Sequence, residues 1–296
     1  MKNLIYLLLV IPLLALSCSK NDSAKGSETV EVQISAEVPN VMGTRATPTT
    51  VNTVYCAVFE NNAEITSLRK AIDITDGTIV YTPRLIKGRT YDIVFWASKA
   101  GSYNVTDLCN ITRNPSVAEA DFDAFTAKTS ITVEGNFSSH ITLQRPLAQL
   151  IMGVTPEDWS AVANPDTFNM VPTTIEVNIE NGNPAFNALT GMAEGNETIT
   201  YNLDVTGAEF TCESKTYKSI AMLYVMPEID ESTFSLSYTL KDQNGTPIRE
   251  NAQIPFVPFE RNYQTNVVGG LLTGTLTYTF TFEDQFLTDE EHKVEL

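Results

Sequence analysis

Val30-Glu31-Val32-Gln33-Ile34-Ser35-Ala36-Glu37-Val38 alternates apolar and polar side chains one for one. In an extended chain successive side chains point to opposite faces. This period of two therefore gathers Val30, Val32, Ile34, Ala36 and Val38 on one face of a β-strand and leaves the other face to water. The pattern returns at Ile175, Val177 and Ile179, at Tyr201, Leu203 and Val205, and at Phe234, Leu236, Tyr238 and Leu240. Half-buried antiparallel strands carry this signature. Tyr91 to Ala97 and Ile220 to Met226 are continuously apolar and suit central strands covered on both faces. Asp76-Gly77, Lys87-Gly88, Asn181-Gly182 and Asn244-Gly245 read as hairpin turns between strands. No long segment has the 3.6-residue period, and the best helical candidate, Ile65 to Ile72, is short. The expected fold class is all-β, with two antiparallel β-sandwich domains in tandem.

The first 17 residues have the parts of an export signal: Lys2 at the start, an apolar run from Leu4 to Leu16, and small residues before Cys18. A spanning helix needs about 20 apolar residues. This run is shorter and holds Pro12, so residues 1–17 read as a cleaved leader. Ala15-Leu16-Ser17-Cys18 resembles a lipobox, which makes Cys18 the candidate lipidation site; the competing reading is a core or disulfide role. Acylation would hold the chain firmly, at about 0.8 kcal/mol per buried methylene. Residues 18–28 read as a polar tether. Taking 17 from 296 residues leaves enough chain for two domains. The expected division is 29–145 and 146–296, with the seam near Gln144 to Pro146, where the strand Ile141 to Leu143 ends and the apolar segment Leu147 to Val154 begins. Thr155 to Thr173, with Pro156, Pro165 and Pro172, reads as the longest irregular loop.

A formal charge of −17 and a pI near 4.5 exclude nucleic acid and anionic membrane surfaces as partners by repulsion. Once Cys18 is set aside, Cys56, Cys109 and Cys212 are an odd number without metal-ligand spacing and read as small buried residues. Of the two histidines, His140 reads as exposed and structural, and His292 falls in a charged tail. Asp121 with Asp123, and Asp289 with Glu290 and Glu291, read as solvated acidic groups, since no calcium-loop pattern accompanies them. The glycines of Val267-Val268-Gly269-Gly270-Leu271 read as a turn, because a phosphate loop needs a lysine and a different spacing. The expectation is no catalytic residues, no metal and no cofactor. Trp96 reads as core. Trp159, in the proline-rich loop, is the ring that a glycan-binding surface would expose.

The run Val257-Pro258-Phe259-Glu260-Arg261-Asn262-Tyr263-Gln264-Thr265-Asn266-Val267-Val268-Gly269 resembles the closing signature of the fimbrillin-like proteins of Bacteroidales. Leu143-Gln144-Arg145-Pro146-Leu147-Ala148-Gln149-Leu150 is similar to that family's domain-junction strand. Thr44-Arg45-Ala46 is similar to its basic cleavage point, and the lipobox agrees. The resemblance implies two transthyretin-like sandwiches and export as an outer-membrane lipoprotein. It further implies cleavage between Arg45 and Ala46 by a trypsin-like, arginine-specific protease, and polymerisation with other pilin subunits by donor-strand exchange into an adhesive fimbrium. The alternatives are an anchor subunit that keeps its lipid, and a surface glycan-binding lipoprotein.

The physical logic stands apart from the family. If the strand Val30 to Val38 is excised with residues 29–45, it leaves an apolar groove flanked by unpaired backbone groups, a template for another chain. Four large aliphatic side chains at about 1.5–3 kcal/mol each make that groove worth roughly 6–12 kcal/mol before entropic costs. Leu276, Tyr278, Phe280 and Phe282 have the alternation that a replacement strand needs and are the candidate donor face.

Overall fold

The structure, a computed structural model, describes residues 28–39, 51–75, 77–164, 166, 169–228 and 231–283. Its first half holds β1 (Thr29–Glu37), β2 (Thr53–Glu60), β3 (Ala63–Glu64), β4 (Lys70–Asp73), β5 (Thr78–Tyr81) and β6 (Arg84–Ile86). It continues through β7 (Thr90–Ser98), β8 (Tyr103–Asn104), β9 (Ile111–Arg113), β10 (Ala124–Thr132) and β11 (Phe137–Thr142). The second half opens with β12 (Ala148–Val154) and helix α1 (Pro156–Ala163), followed by β13 (Pro172–Gly182), β14 (Ala185–Asn187), β15 (Met192–Glu194) and β16 (Glu197–Asp204). It closes with β17 (Glu209–Cys212), β18 (Lys215–Val225), β19 (Glu231–Asp242), β20 (Pro247–Glu260), β21 (Gln264–Gly270) and β22 (Thr277–Glu283).

The fold is all-β, with two sandwiches in tandem. In the first, the sheet β11-β1-β5, with β6 also on β1, faces the sheet β10-β7-β2-β3, with β4 also on β2. In the second, β17-β18-β12-β21-β22 faces β16-β13-β19-β20. Strands of these four sheets come from one side or the other of residues 143–147. A fifth sheet, β15-β14-β9-β8, takes strands from both halves. Two pairings are parallel, β1 with β11 and β12 with β21, which departs from the purely antiparallel expectation.

Three apolar cores follow from this layering. One fills the first sandwich, one the second, and one lies between them beneath the fifth sheet. The junction core explains the two continuous apolar stretches. Along β7, Ile93, Phe95 and Ala97 face the first core while Val94 and Trp96 face the junction. Along β18 and just beyond it, Leu223 and Val225 face the second core while Met222, Tyr224 and Met226 face the junction.

Four local expectations fail, each for a physical reason. Ile65 to Ile72 forms only a 3-10 turn at Thr66–Leu68, because Lys70–Asp73 is drawn into the ladder with β2. The stretch expected as a loop from Thr155 holds α1 instead. There the Thr155 hydroxyl accepts from the Asp158 amide at 3.1 Å, Pro156 opens the helix, and Glu157 and Asp158 sit at its positive end. Asn181-Gly182 is no hairpin turn: it ends β13 in a bulge, with Asn181 at a φ of 57°. Gly269 and Gly270 likewise belong to β21, where a Cβ on Gly269 would stand 2.1 Å from the Thr277 carbonyl oxygen, so the turn comes after them.

Candidate assembly site

The first strand is seated in the middle of its sheet. On one side β11 runs parallel to it, from Val32 opposite Phe137 to Glu37 opposite Thr142. On the other, β5 pairs with Ile34 to Glu37 and β6 with Thr29 to Glu31. The Val32 amide bridges the break between those two by donating to the Pro83 carbonyl at 3.1 Å, and the Val38 amide donates to Gly77 at 3.0 Å. Val30, Val32, Ile34, Ala36 and Val38 are between 0 and 8% exposed, packed with Ile79, Tyr81, Leu85 and Phe95. The opposite face is wet: Glu31 and Gln33 are exposed, and Ser35 and Glu37 are partly so. His140 lies on this outer face, with Nδ1 at 3.0 Å from the Ser35 hydroxyl and Nε2 at 3.3 Å from the Glu37 carboxylate. It ties β11 to β1 in the structural role expected of it.

The candidate donor face is looser. Strand β22 is an edge strand, paired with β21 from Gln264 opposite Glu283 to Gly270 opposite Thr277. Leu276, Tyr278 and Phe280 are half-buried against the second core, and Phe282 is 48% exposed. The Tyr278 and Phe280 rings lie 5.4 Å apart. The turn before this strand is held tightly by Asp158, a residue whose sequence surroundings mark a helix start and not this contact. Asp158 of α1, itself buried, accepts from the Leu272 amide at 2.7 Å, the Thr273 amide at 3.0 Å and the Thr273 hydroxyl at 2.6 Å.

The two C-terminal and junction motifs meet in space. Arg145 pairs with Asp123 through Nε at 2.6 Å and Nη2 at 2.7 Å, both side chains being buried. Its Nη1 donates to the Asn262 side-chain oxygen at 3.0 Å, and the Asn262 amide donates to the Leu147 carbonyl at 2.7 Å. Asn262 adopts a φ of 65°, a conformation asparagine tolerates better than most residues. Arg261 donates to the carbonyls of Gly191, Pro227 and Glu228. Asn262 thus ties the loop before β21 through Arg145 to Asp123 of the first half, while Arg261 secures the same loop to second-half carbonyls. That loop borders a cleft of about 680 Å3 onto which Pro39, just past β1, also opens. A second, partly buried pair, Arg113 with Glu119, lies at the junction, where Glu119 also accepts from the Tyr224 amide at 2.8 Å. For the fully buried Arg145–Asp123 pair, removing one partner typically costs about 3–5 kcal/mol, because the other charge stays buried.

Asp123 is therefore not solvated, contrary to the sequence expectation, whereas Asp121 meets Lys99 at the surface. Cys56 and Cys212 are buried and Cys109 half-buried, none of them in a disulfide. Burial pushes the Cys56 thiol up to about 12, with Lys70 only partly opposing it, so that thiol stays protonated and inert. Trp96 is core, at the junction. Trp159 is not the exposed loop ring of the glycan-binding reading: it sits on α1, half-buried against the second core, and a Cβ on Gly207 would meet its ring at 2.9 Å. Cys18, Arg45, Ala46 and the tail Asp289 to Leu296 lie outside the described residues. Among the described residues, no helix is long and apolar enough to cross a membrane.

The sequence matches, over residues 23–295, the model of a family of unknown function, DUF6562. No curated protein matches it. Solved structures similar to it include a candidate polysaccharide-binding protein from Bacteroides thetaiotaomicron, 11% identical, over 88% of this chain and 99% of that one, at a TM-score of 0.54. A candidate adhesin from Bacteroides ovatus is 12% identical over 81% of this chain and 89% of that one, at 0.51. The tip fimbrial protein Mfa3 from Porphyromonas gingivalis is 13% identical over 86% and 99%, at 0.48, too distant in shape to argue from. At such identities the first two likenesses establish a shared fold.

Proposed function

From the premise that this chain belongs to the DUF6562 family, we propose that it is a surface fimbrial subunit. In this reading it is exported as a lipoprotein on Cys18, cut between Arg45 and Ala46, and polymerised by donor-strand exchange, so that its partners are other pilin subunits and the arginine-specific protease. The cut strand is β1, with Val30, Val32, Ile34, Ala36 and Val38 as the displaced face. The donor face is Leu276, Tyr278, Phe280 and Phe282.

One observation carries the reading: β1 is a mid-sheet strand with one apolar face fully buried and one polar face in water. A strand of that kind leaves a one-sided slot with backbone groups unpaired along both walls, which only another strand of the same alternation can fill. Five buried side chains and three ladders also mean that β1 does not leave unaided. Cutting the chain behind it and offering a competitor supplies both missing conditions. Cleavage after Arg45 places Cys18 on the discarded side, so one cut would release the anchor and open the slot together.

The test is N-terminal sequencing of the mature surface form, with Arg45→Ala alongside. The expected wild-type chain begins at Ala46, and the variant folds, keeps its first strand and forms no fibres. Normal fibres from Arg45→Ala overturn the processing step. A wild-type surface form that still begins at acylated Cys18 instead assigns the protein to the base of a fibre, as its anchor.

A further inference from the structure

We propose that helix α1 is a latch that holds the last strand on its own subunit until assembly, an inference that rests on the donor role assigned above to β22. The second sandwich gives this strand little else to hold it. Among the described residues it pairs with a strand on one side only, its apolar residues are half-buried, and Phe282 is about half exposed. A strand so placed opens more readily than the core strands around it.

The turn that feeds it is held by several side-chain hydrogen bonds. Leu271 and Leu272 are buried in the second core, and the next three residues, Thr273, Gly274 and Thr275, are exposed. Asp158 reaches across from the first turn of α1 and takes three bonds from Leu272 and Thr273, all at 3.0 Å or less. The Tyr238 hydroxyl donates to the Leu271 carbonyl at 2.7 Å, and Arg249 donates to the carbonyls of Leu271 and Gly274. Asp158 is the member of this set that α1 contributes. An ionised carboxylate bonded to two backbone amides and a hydroxyl makes charge-assisted bonds, the strong kind. Its removal leaves two amides at a half-buried turn without an acceptor and loosens the end from which β22 starts, leaving Tyr238 and Arg249 as its remaining holds. The latch therefore acts on β22 and leaves β13, on the facing sheet and without a bond to this turn among those described, unaffected.

The test is amide hydrogen exchange on the full, uncleaved monomer, comparing wild type with Asp158→Asn, Asp158→Ala and Thr273→Val. Val177→Ala, in the same core but away from the turn, serves as a control for general loosening. In Asp158→Ala the β22 amides bonded to β21 are expected to exchange at least about tenfold faster while those of β13 hold their rates. Asp158→Asn and Thr273→Val follow in the same direction with smaller effects. Unchanged β22 exchange in all three variants overturns the latch, as does a uniform rise across β13, β19 and β22 like that of Val177→Ala. Because the uncleaved monomer is measured, the result is independent of processing at Arg45. Faster β22 exchange in a protein that forms no fibres when wild type would support the latch and sink the assembly reading.

Discussion

Strands β1 and β12 hold the same topological place in their sandwiches. Each opens its half of the chain, and each is paired in parallel with a late strand of that half and antiparallel on the other side. Their surroundings differ. Every residue of β12 is buried: Ala148, Leu150, Met152 and Val154 face the second core, and Ile151 faces the junction. Strand β1 is buried on alternate residues only. Taking β12 out would open two cores at once and cut the molecule at its junction, whereas taking out β1 opens one face of one sandwich. Exchange at a sheet centre is thus physically reasonable for the first of the two strands and not for the second.

Substitutions on the two strands sharpen or break that contrast. Ile151→Ala, on the second face of β12, should lower stability by about 2–5 kcal/mol in urea unfolding, the usual range for a buried isoleucine or leucine cut to alanine. Ile34→Val removes one methylene from the buried face of β1 and should cost about 0.5–1.5 kcal/mol. Gln33→Ala, on the outer face of β1, should stay within about 0.5 kcal/mol. A cost for Gln33→Ala matching that of Ile151→Ala would mean that the outer face of β1 is covered in the folded protein, and the contrast would collapse.

Much of this contrast was legible in the sequence. The strict alternation of Val30 to Val38 states one wet face, and the run Leu147 to Val154, broken only by Gln149, states none. Alternation reports burial, and burial here follows the sheets. The helix reads as loop although its start signals, Thr155, Pro156, Glu157 and Asp158, stand in order, because eight residues give too few turns for an apolar stripe to stand out. The ion pairs were not legible. Asp123 and Arg145 are 22 residues apart, Arg145 and Asn262 117 apart, and nothing in either neighbourhood says that they meet. Asp158 hid for the same reason, since its three bonds cross 114 or 115 positions to a turn whose sequence only shows that it is a turn.

The smallest expected effect addresses the sandwich of β12 alone. Asp242 ends β19, and its carboxylate accepts from the amides of Asn244 at 2.9 Å and Thr246 at 2.7 Å, closing the hairpin to β20. Desolvation works to raise its pKa, but those amide bonds outweigh it and hold the carboxyl below its usual value. A carboxylate with a depressed folded pKa adds stability that is present above the unfolded value, about 3.9, and lost as pH falls through the folded one. The stability difference between wild type and Asp242→Asn should therefore be steady near neutrality and narrow below about pH 4. The check is the urea midpoint of both proteins along a pH series, with amide exchange at Tyr238 and Leu240 as the local reading. A difference that stays constant down to about pH 3 would mean that the hairpin does not hold its carboxylate charged. A narrowing that appears at those two amides gives a way to loosen the second sandwich by acid, so that the hold of the first on β1 can be compared with it in one molecule.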